Sequence, residues 1–220
     1  MKKRRFWFGI ILLGCFLIWT LLIRCIDVQP IGPGNSSIGF AALNGWFRQM
    51  TGVHFLLYTL TDWLGFVPVA VCIGFGVLGL AEWINRRRIE RVDADILLLG
   101  GYYILVILLY LLFEAVPVNY RPLLINGILE TSYPSSTTLL VLSVLPTLPF
   151  QLRRRVKSIP LCHTVGVLCA VFSCFMVLAR LVSGVHWLTD IVGAVLGSGG
   201  LFMLYTAAVA AVGRNDSGIS

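Results

Sequence analysis

Six apolar runs, each close to the length a helix needs to cross a bilayer, divide this chain and leave it few ways to fold. A helix gains about 1.5 Å per residue, so about 20 residues cross roughly 30 Å of hydrocarbon, and only helices or closed barrels satisfy every backbone polar group there. The runs lie at about residues 6–25, 63–84, 94–116, 135–150, 159–181 and 186–212. With 58% hydrophobic residues, 12% charged residues and a mean hydropathy of +0.89, the sequence lies outside the range of soluble domains. The pattern predicts an all-α polytopic integral membrane protein: one membrane-embedded domain over 1–220 with six transmembrane helices.

Charge then gives an orientation. Thirteen of the seventeen Lys and Arg residues cluster at Lys2–Arg5, Arg86–Arg91, Arg153–Lys157 and Arg214. Alternating spans bring all four clusters to one face, which the positive-inside rule makes cytoplasmic, with both termini inside. The first run follows four basic residues as a secretory signal would, but it is longer than a signal core and lacks a small-residue cleavage site, so it reads as an uncleaved span. The net charge of +7 is explained by these loop clusters, and no aromatic-interleaved basic surface signals nucleic acid. Six cysteines fall mostly inside apolar runs, without metal-type spacing, and read as packing residues.

Between the first two spans, Phe40, Leu43, Trp46, Phe47 and Met50 recur at helical spacing and predict a short amphipathic helix lying in the interface or capping the bundle. His54 and Asp62 read as interfacial polar groups.

Three polar segments remain, and the topology carries all of them to the face opposite the basic clusters. They are Asn119-Tyr120-Arg121-Pro122, Tyr133-Pro134-Ser135-Ser136-Thr137, and Arg180 to Asp190. Arg121 and Arg180 offer planar forks of donors suited to phosphate oxygens. Pro134 followed by serines reads as a helix amino terminus, where free N–H groups hold anions. His186 and Asp190 stand four apart, so on a helix the carboxylate accepts a hydrogen bond from the imidazole and fixes its tautomer for nucleophilic or base chemistry. With no third or fourth ligand at metal spacing, the pair suggests neither a metal nor another cofactor. A transporter reading is weaker, because the charges gather at one face and no inverted repeat is evident.

In this order, Arg-Pro, Pro-Ser-x-x and Arg-x5-His-x3-Asp resemble the three signatures of the type 2 phosphatidic acid phosphatase (PAP2) superfamily of membrane lipid phosphatases, Lys-x6-Arg-Pro, Pro-Ser-Gly-His and Ser-Arg-x5-His-x3-Asp. The third is the specific one. The resemblance implies a six-helix bundle in the plasma membrane, with its site on the non-cytoplasmic side. It implies that His186 attacks phosphorus to form a phosphohistidine, that Asp190 orients it, and that Arg121, Arg180, Ser135 and Ser136 bind the phosphoryl oxygens of a phosphorylated lipid.

Four positions depart from the signatures. Glu114 stands at the lysine, Ser136 at the glycine, Ala179 at the serine before Arg180, and Thr137 at the second histidine, the family's general acid. A threonine hydroxyl cannot protonate a leaving alkoxide at neutral pH, and losing a general acid commonly costs about 10²- to 10⁴-fold. A phosphate monoester departing from a diphosphate needs that proton less, its conjugate acid having a pKa near about 6. The sequence therefore points to a lipid diphosphate, such as a polyprenyl carrier, over phosphatidic acid. Glu130 and Tyr120 are candidate substitute acids, and Glu114, seven residues before Arg121, is placed to pair with it. Two other classes fit the same residues: a PAP2-like protein that binds phosphorylated lipid or supports a partner without turnover, and a phosphoryl transferase with another acceptor.

Overall fold

A computed structural model describes residues 2–212, and Arg214, counted above among the basic clusters, lies outside them. Nine α-helices form among the described residues, with two single-turn 3₁₀ helices and no strand: α1 (Lys2–Cys25), α2 (Ala41–Thr51), α3 (Phe55–Leu64), α4 (Phe66–Arg86), α5 (Ala94–Ala115), α6 (Ser136–Val144), α7 (Thr147–Arg155), α8 (Ile159–Val182) and α9 (Leu188–Val212). The protein is an all-α integral membrane protein. Large apolar side chains point outward along its helices, among them Leu17 and Leu21 on α1, Ile104 and Leu108 on α5, and Leu168 and Leu178 on α8. That surface is stable only against lipid.

Five stretches among the described residues are long and apolar enough to cross a membrane: α1, α3 with α4, α5, α8 and α9. The second begins at Phe55, eight residues before the predicted start at 63. Two polar residues within it find partners: Thr61 Oγ1 donates to the carbonyls of Leu57 and Tyr58 one turn back, and Asp62 pairs with Arg180 of α8. The predicted fourth span, 135–150, is instead two nine-residue helices, α6 and α7. Leu145 N–H still donates to Val141, but Pro146 has no N–H to continue the ladder, and α7 restarts from it. The last span begins at Leu188, leaving His186 in the preceding loop.

The first and last described helices form the most extensive pair in the bundle. Small residues let their backbones approach, as in membrane helix pairs generally. A Cβ at Gly200 would lie 2.8 Å from Leu13 Cγ, and one at Gly9 would lie 3.1 Å from the Gly200 carbonyl oxygen. Trp19 Nε1 then donates to the Thr189 carbonyl at 3.1 Å and fixes the upper end of the pair. Phe16, Ile23, Phe113 and Tyr133 pack beside it as one cluster.

The amphipathic helix predicted over 40–50 is α2, and it covers the end of α9. Its buried Asn44 donates to the Gly39 carbonyl at 2.8 Å and to Thr189 Oγ1 at 3.0 Å, while Trp46 and Met50 face outward. At the other end of the bundle Asp95 takes Arg154 at 2.9 Å and Arg155 at 3.0 Å, tying α7 to the start of α5. The basic clusters therefore gather at the end opposite the loops that carry Arg121 and His186.

Candidate functional site

The loop from 117 to 134 folds back on itself. Arg121 N–H donates to the Glu130 carbonyl at 2.9 Å, Ser132 N–H to the Asn119 carbonyl at 3.0 Å, and a tight turn at Ile125–Ile128 reverses the chain. One arm thus carries Asn119 and Arg121 and the other Glu130 and Ser132. Trp187 Nε1 donates to the Tyr120 carbonyl at 2.7 Å and binds the loop to the start of α9.

The turn between α8 and α9 requires glycine. Gly184 has φ +72°, and a Cβ there would sit 2.3 Å from the Gly52 carbonyl oxygen. His54 N–H donates to the Ser183 carbonyl at 3.0 Å, so the segment before α3 clamps this turn. The His54 imidazole itself meets the Thr51 carbonyl, Nε2 to O, at 2.8 Å.

His186 follows, buried. Its Nδ1–H donates to the Ser132 carbonyl at 3.1 Å, and Nε2 has no partner among the described residues. The predicted hydrogen bond to Asp190 does not form: Nδ1 stands 3.7 Å from Asp190 Oδ2. Since α9 begins after His186, that carboxylate turns to a backbone N–H and a side-chain amide. Oδ2 accepts the Trp187 N–H at 2.9 Å, a carboxylate at the third helical position closing over its own helix start, and Oδ1 accepts Asn119 Nδ2 at 3.3 Å. The Ser132 carbonyl thus fixes the imidazole tautomer, and Asp190 fixes the turn that presents the imidazole. Burial, together with the Arg121 and Arg180 charges, holds the His186 pKa well below its ordinary value, so the ring is neutral with a free lone pair on Nε2.

Two guanidinium groups lie near enough to act on this ring through their charge. Arg121 Nε lies 2.9 Å from Glu130 Oε2, an ion pair without hydrogen-bond alignment, and Nε and Nη1 are both buried without an acceptor. The predicted Glu114–Arg121 pair is absent: Glu114 Oε2 accepts Thr131 Oγ1 at 2.8 Å, and Glu130, folded back across the loop, is nearer to Arg121. Arg180 is gripped by α3. Its Nη1 donates to Thr61 Oγ1 at 3.1 Å and to the Tyr58 carbonyl at 3.4 Å, Nη2 pairs with Asp62 at 3.3 Å, and the group lies over the Tyr58 ring at 4.9 Å. Its Nε remains buried and without an acceptor. Asp62, read from sequence as interfacial, holds this arginine.

A polar cavity of about 200 Å³ is lined by Glu114, Arg121, Glu130, Ser136 and His186, with Tyr110 and Tyr133 as walls, and Arg180 does not line it. Ser135 does not line it; its N–H donates to the Asp190 carbonyl at 3.3 Å and its hydroxyl to Thr138 Oγ1 at 3.1 Å. Thr137 faces the neighbouring apolar cavity of about 610 Å³, which also takes in Asp62, Tyr110 and Ser136. Tyr120 lines neither. No cluster of metal-binding side chains occurs among the described residues. Buried donors, a neutral imidazole with a free lone pair and a cavity of this size suit a tetrahedral anion whose central atom the ring can approach.

Residues 113–214 match the PAP2 superfamily. The match takes in all three polar segments, so the PAP2 resemblance read from three short motifs extends over the chain from the end of α5 through α9. The fold as a whole is similar to the crystal structure of a transmembrane PAP2 type phosphatidylglycerolphosphate phosphatase from Bacillus subtilis, with a TM-score of 0.58 and 18% identity over 96% of this chain and 97% of that one. No curated protein matches the sequence.

Proposed function

We propose that this protein is a PAP2-type membrane lipid phosphatase working through a phosphohistidine on His186 Nε2. The observation that carries the reading is the meeting at one small cavity of Arg121, whose Nη1 is buried without an acceptor, and the free lone pair of His186 Nε2, with Arg180 close enough for its charge to act on the same imidazole. Buried donors without acceptors are costly unless a ligand supplies the acceptors, and phosphoryl oxygens do so for guanidinium groups. Phosphoryl transfer asks mainly for such positioning and charge neutralisation.

In the first step the Nε2 lone pair forms a bond to phosphorus and the bond from phosphorus to the leaving oxygen breaks, the oxygen keeping the electron pair. Arg121 and Arg180 balance the charge gathering on the phosphoryl oxygens. Water then attacks the phosphohistidine, inorganic phosphate leaves, and His186 is regenerated. The Ser132 carbonyl holds the Nδ1 proton throughout, and Asp190 with Asn119 steadies the turn. Ser136 reaches the cavity and assists in oxygen binding; Ser135 supports it through the backbone.

The leaving group decides the substrate. Thr137 offers no acid and faces the apolar cavity, so a departing group that needs little protonation is favoured, and a lipid diphosphate meets that condition. The apolar cavity that shares Ser136 and Tyr110 with the polar one would take the lipid chain. By the positive-inside rule the site faces the non-cytoplasmic side of its membrane.

Purified protein incubated with phosphorus-labelled lipid diphosphate should yield an acid-labile, base-stable phosphoprotein and release phosphate, and His186→Ala should do neither. Faster release from phosphatidic acid would refute the diphosphate preference, and Thr137→His should raise monoester hydrolysis selectively. Binding of the lipid with neither adduct nor phosphate release would assign the protein to the non-catalytic class.

A further inference from the structure

At the end of the bundle remote from the candidate site, α7, α8 and α9 leave a crevice of about 640 Å³. Its origin is the break after α6. Pro146 lets α7 take a new axis, and Pro149 on α7 comes to rest over Gly166 on α8: a Cβ at Gly166 would lie 3.7 Å from Pro149 Cβ and 3.8 Å from Arg153 Nη2. The floor along α8 is made of the small side chains of Ala170, Ser173 and Cys174, with Phe202 and Met203 of α9 opposite. In membranes such small-residue faces normally receive a neighbouring helix. Here α8 packs on α3, α6 and α7 and barely touches α9, so the groove stays open.

The mouth is basic. Arg5, Arg153 and His163 line it, at the level where the basic clusters lie. The adjacent Arg154 and Arg155 are drawn onto Asp95, whereas Arg5 and Arg153 have no carboxylate partner among the described residues. Two unneutralised guanidinium groups over an apolar slot fit a charged head on an aliphatic chain. A second copy of this chain is a poor occupant, because a two-fold contact here would bring the same arginines against each other.

We propose that this crevice binds an anionic phospholipid of the leaflet opposite the candidate active site, its phosphate held by Arg5 and Arg153 and an acyl chain lying over Gly166, Ala170 and Ser173. The site is separate from the phosphatase reading and stands without it. Basic residues near an anionic lipid surface are each worth about five-fold in affinity.

Native mass spectrometry of the detergent-purified protein, with phosphatidylglycerol and phosphatidylcholine of equal chain length, provides the test. Phosphatidylglycerol is anionic but has no terminal phosphate to hydrolyse. It should be retained over phosphatidylcholine, about five-fold less in Arg5→Gln or Arg153→Gln and roughly 25-fold less in the double variant. Arg121→Gln at the other end should leave retention unchanged, and excess inorganic phosphate should not displace the lipid. Gly166→Leu, which fills the groove and keeps the charges, should exclude lipid; if it fails to fold, the arginine variants decide. Equal retention of both lipids, loss with Arg121→Gln and not with the arginine pair, displacement by inorganic phosphate, or a Gly166→Leu protein that keeps its lipid but changes its oligomeric state would overturn the proposal.

Discussion

Gly193→Ala tests whether packing in the bundle and the geometry of the site are one structure. Gly193 lies on α9 one turn beyond Asp190, and a Cβ there would stand 2.3 Å from Tyr133 Cε2 and 2.6 Å from the hydroxyl oxygen. Carbon atoms settle at about 3.5–4.0 Å, so the ring must withdraw by more than about 1 Å. It has little room: Phe16 stacks on it with centroids 6.1 Å apart, Phe113 meets it edge-on at 5.4 Å, and its hydroxyl shares a 2.7 Å hydrogen bond with Thr20. Overpacking of this kind costs about 1–3 kcal/mol, loss of the Thr20 bond adds about 1 kcal/mol, and the gain of alanine over glycine in a helix returns about 1 kcal/mol. A net loss of about 1–3 kcal/mol follows. Tyr133 also adjoins Ser132, whose carbonyl holds His186, and a displacement of about 1 Å at a reacting group can cost about 10²-fold in rate. Phosphate release and thermal unfolding, measured together in detergent, should both fall. The double variant with Tyr133→Leu should recover part of the stability, whereas Tyr133→Phe should not, because the clash involves ring carbons. A Gly193→Ala protein with unchanged melting and turnover would refute the reasoning.

Other outcomes follow from the same geometry. The folded protein holds the His186 pKa well below about 6.5, so the ring stays neutral there while an unfolded chain would protonate; the acid limb of kcat/KM, corrected for ionisation of the substrate phosphate, should lie below pH of about 6.5 and move upward in Arg121→Gln, which removes one of the repelling charges. Asp62→Asn keeps an acceptor for Arg180 but removes a negative charge beside it, so KM for the lipid phosphate should fall about two- to five-fold; Asp62→Ala, which frees the guanidinium, should raise it. Gly184→Ala forces a left-handed backbone on alanine and drives its Cβ into the Gly52 carbonyl, and should lose about 2 kcal/mol or more with a drop in turnover of at least about tenfold, readable by the same pair of assays.

Residue identity carried the motifs far in the sequence, because the costs that select them are local: arginines, a histidine and a carboxylate are too expensive in lipid to sit at one membrane face without a purpose. What surrounds each was hidden. The group orienting His186 is a backbone carbonyl, at Ser132, and carbonyls have no signature in a sequence. Asp190 looked like the orienting group because its spacing fits a helix, but helix α9 starts two residues after His186, and a boundary shift of that size reassigns the carboxylate to Trp187 and Asn119. Arg180 finds Asp62 across 118 residues and Arg121 finds Glu130 across a loop reversal, pairings set by the way segments pack. Pro146 was visible in the predicted fourth span; that it separates two helices depended on whether neighbours could cover the freed carbonyl, which is a tertiary matter.

The pairing of α1 with α9 has a consequence for how the molecule is made. Residues 2–25 are synthesised first among the described helices and must wait in the bilayer, their glycine-spaced face covered by lipid or by an insertion factor, until residues 188–212 arrive to occupy it. His186 enters at the head of that late helix, and the Ser132 carbonyl and both arginines are in the membrane before it. On the proposed mechanism, a chain stalled before α9 would carry both arginines without the histidine that is to attack, and completion of the fold and the onset of chemistry would be a single event.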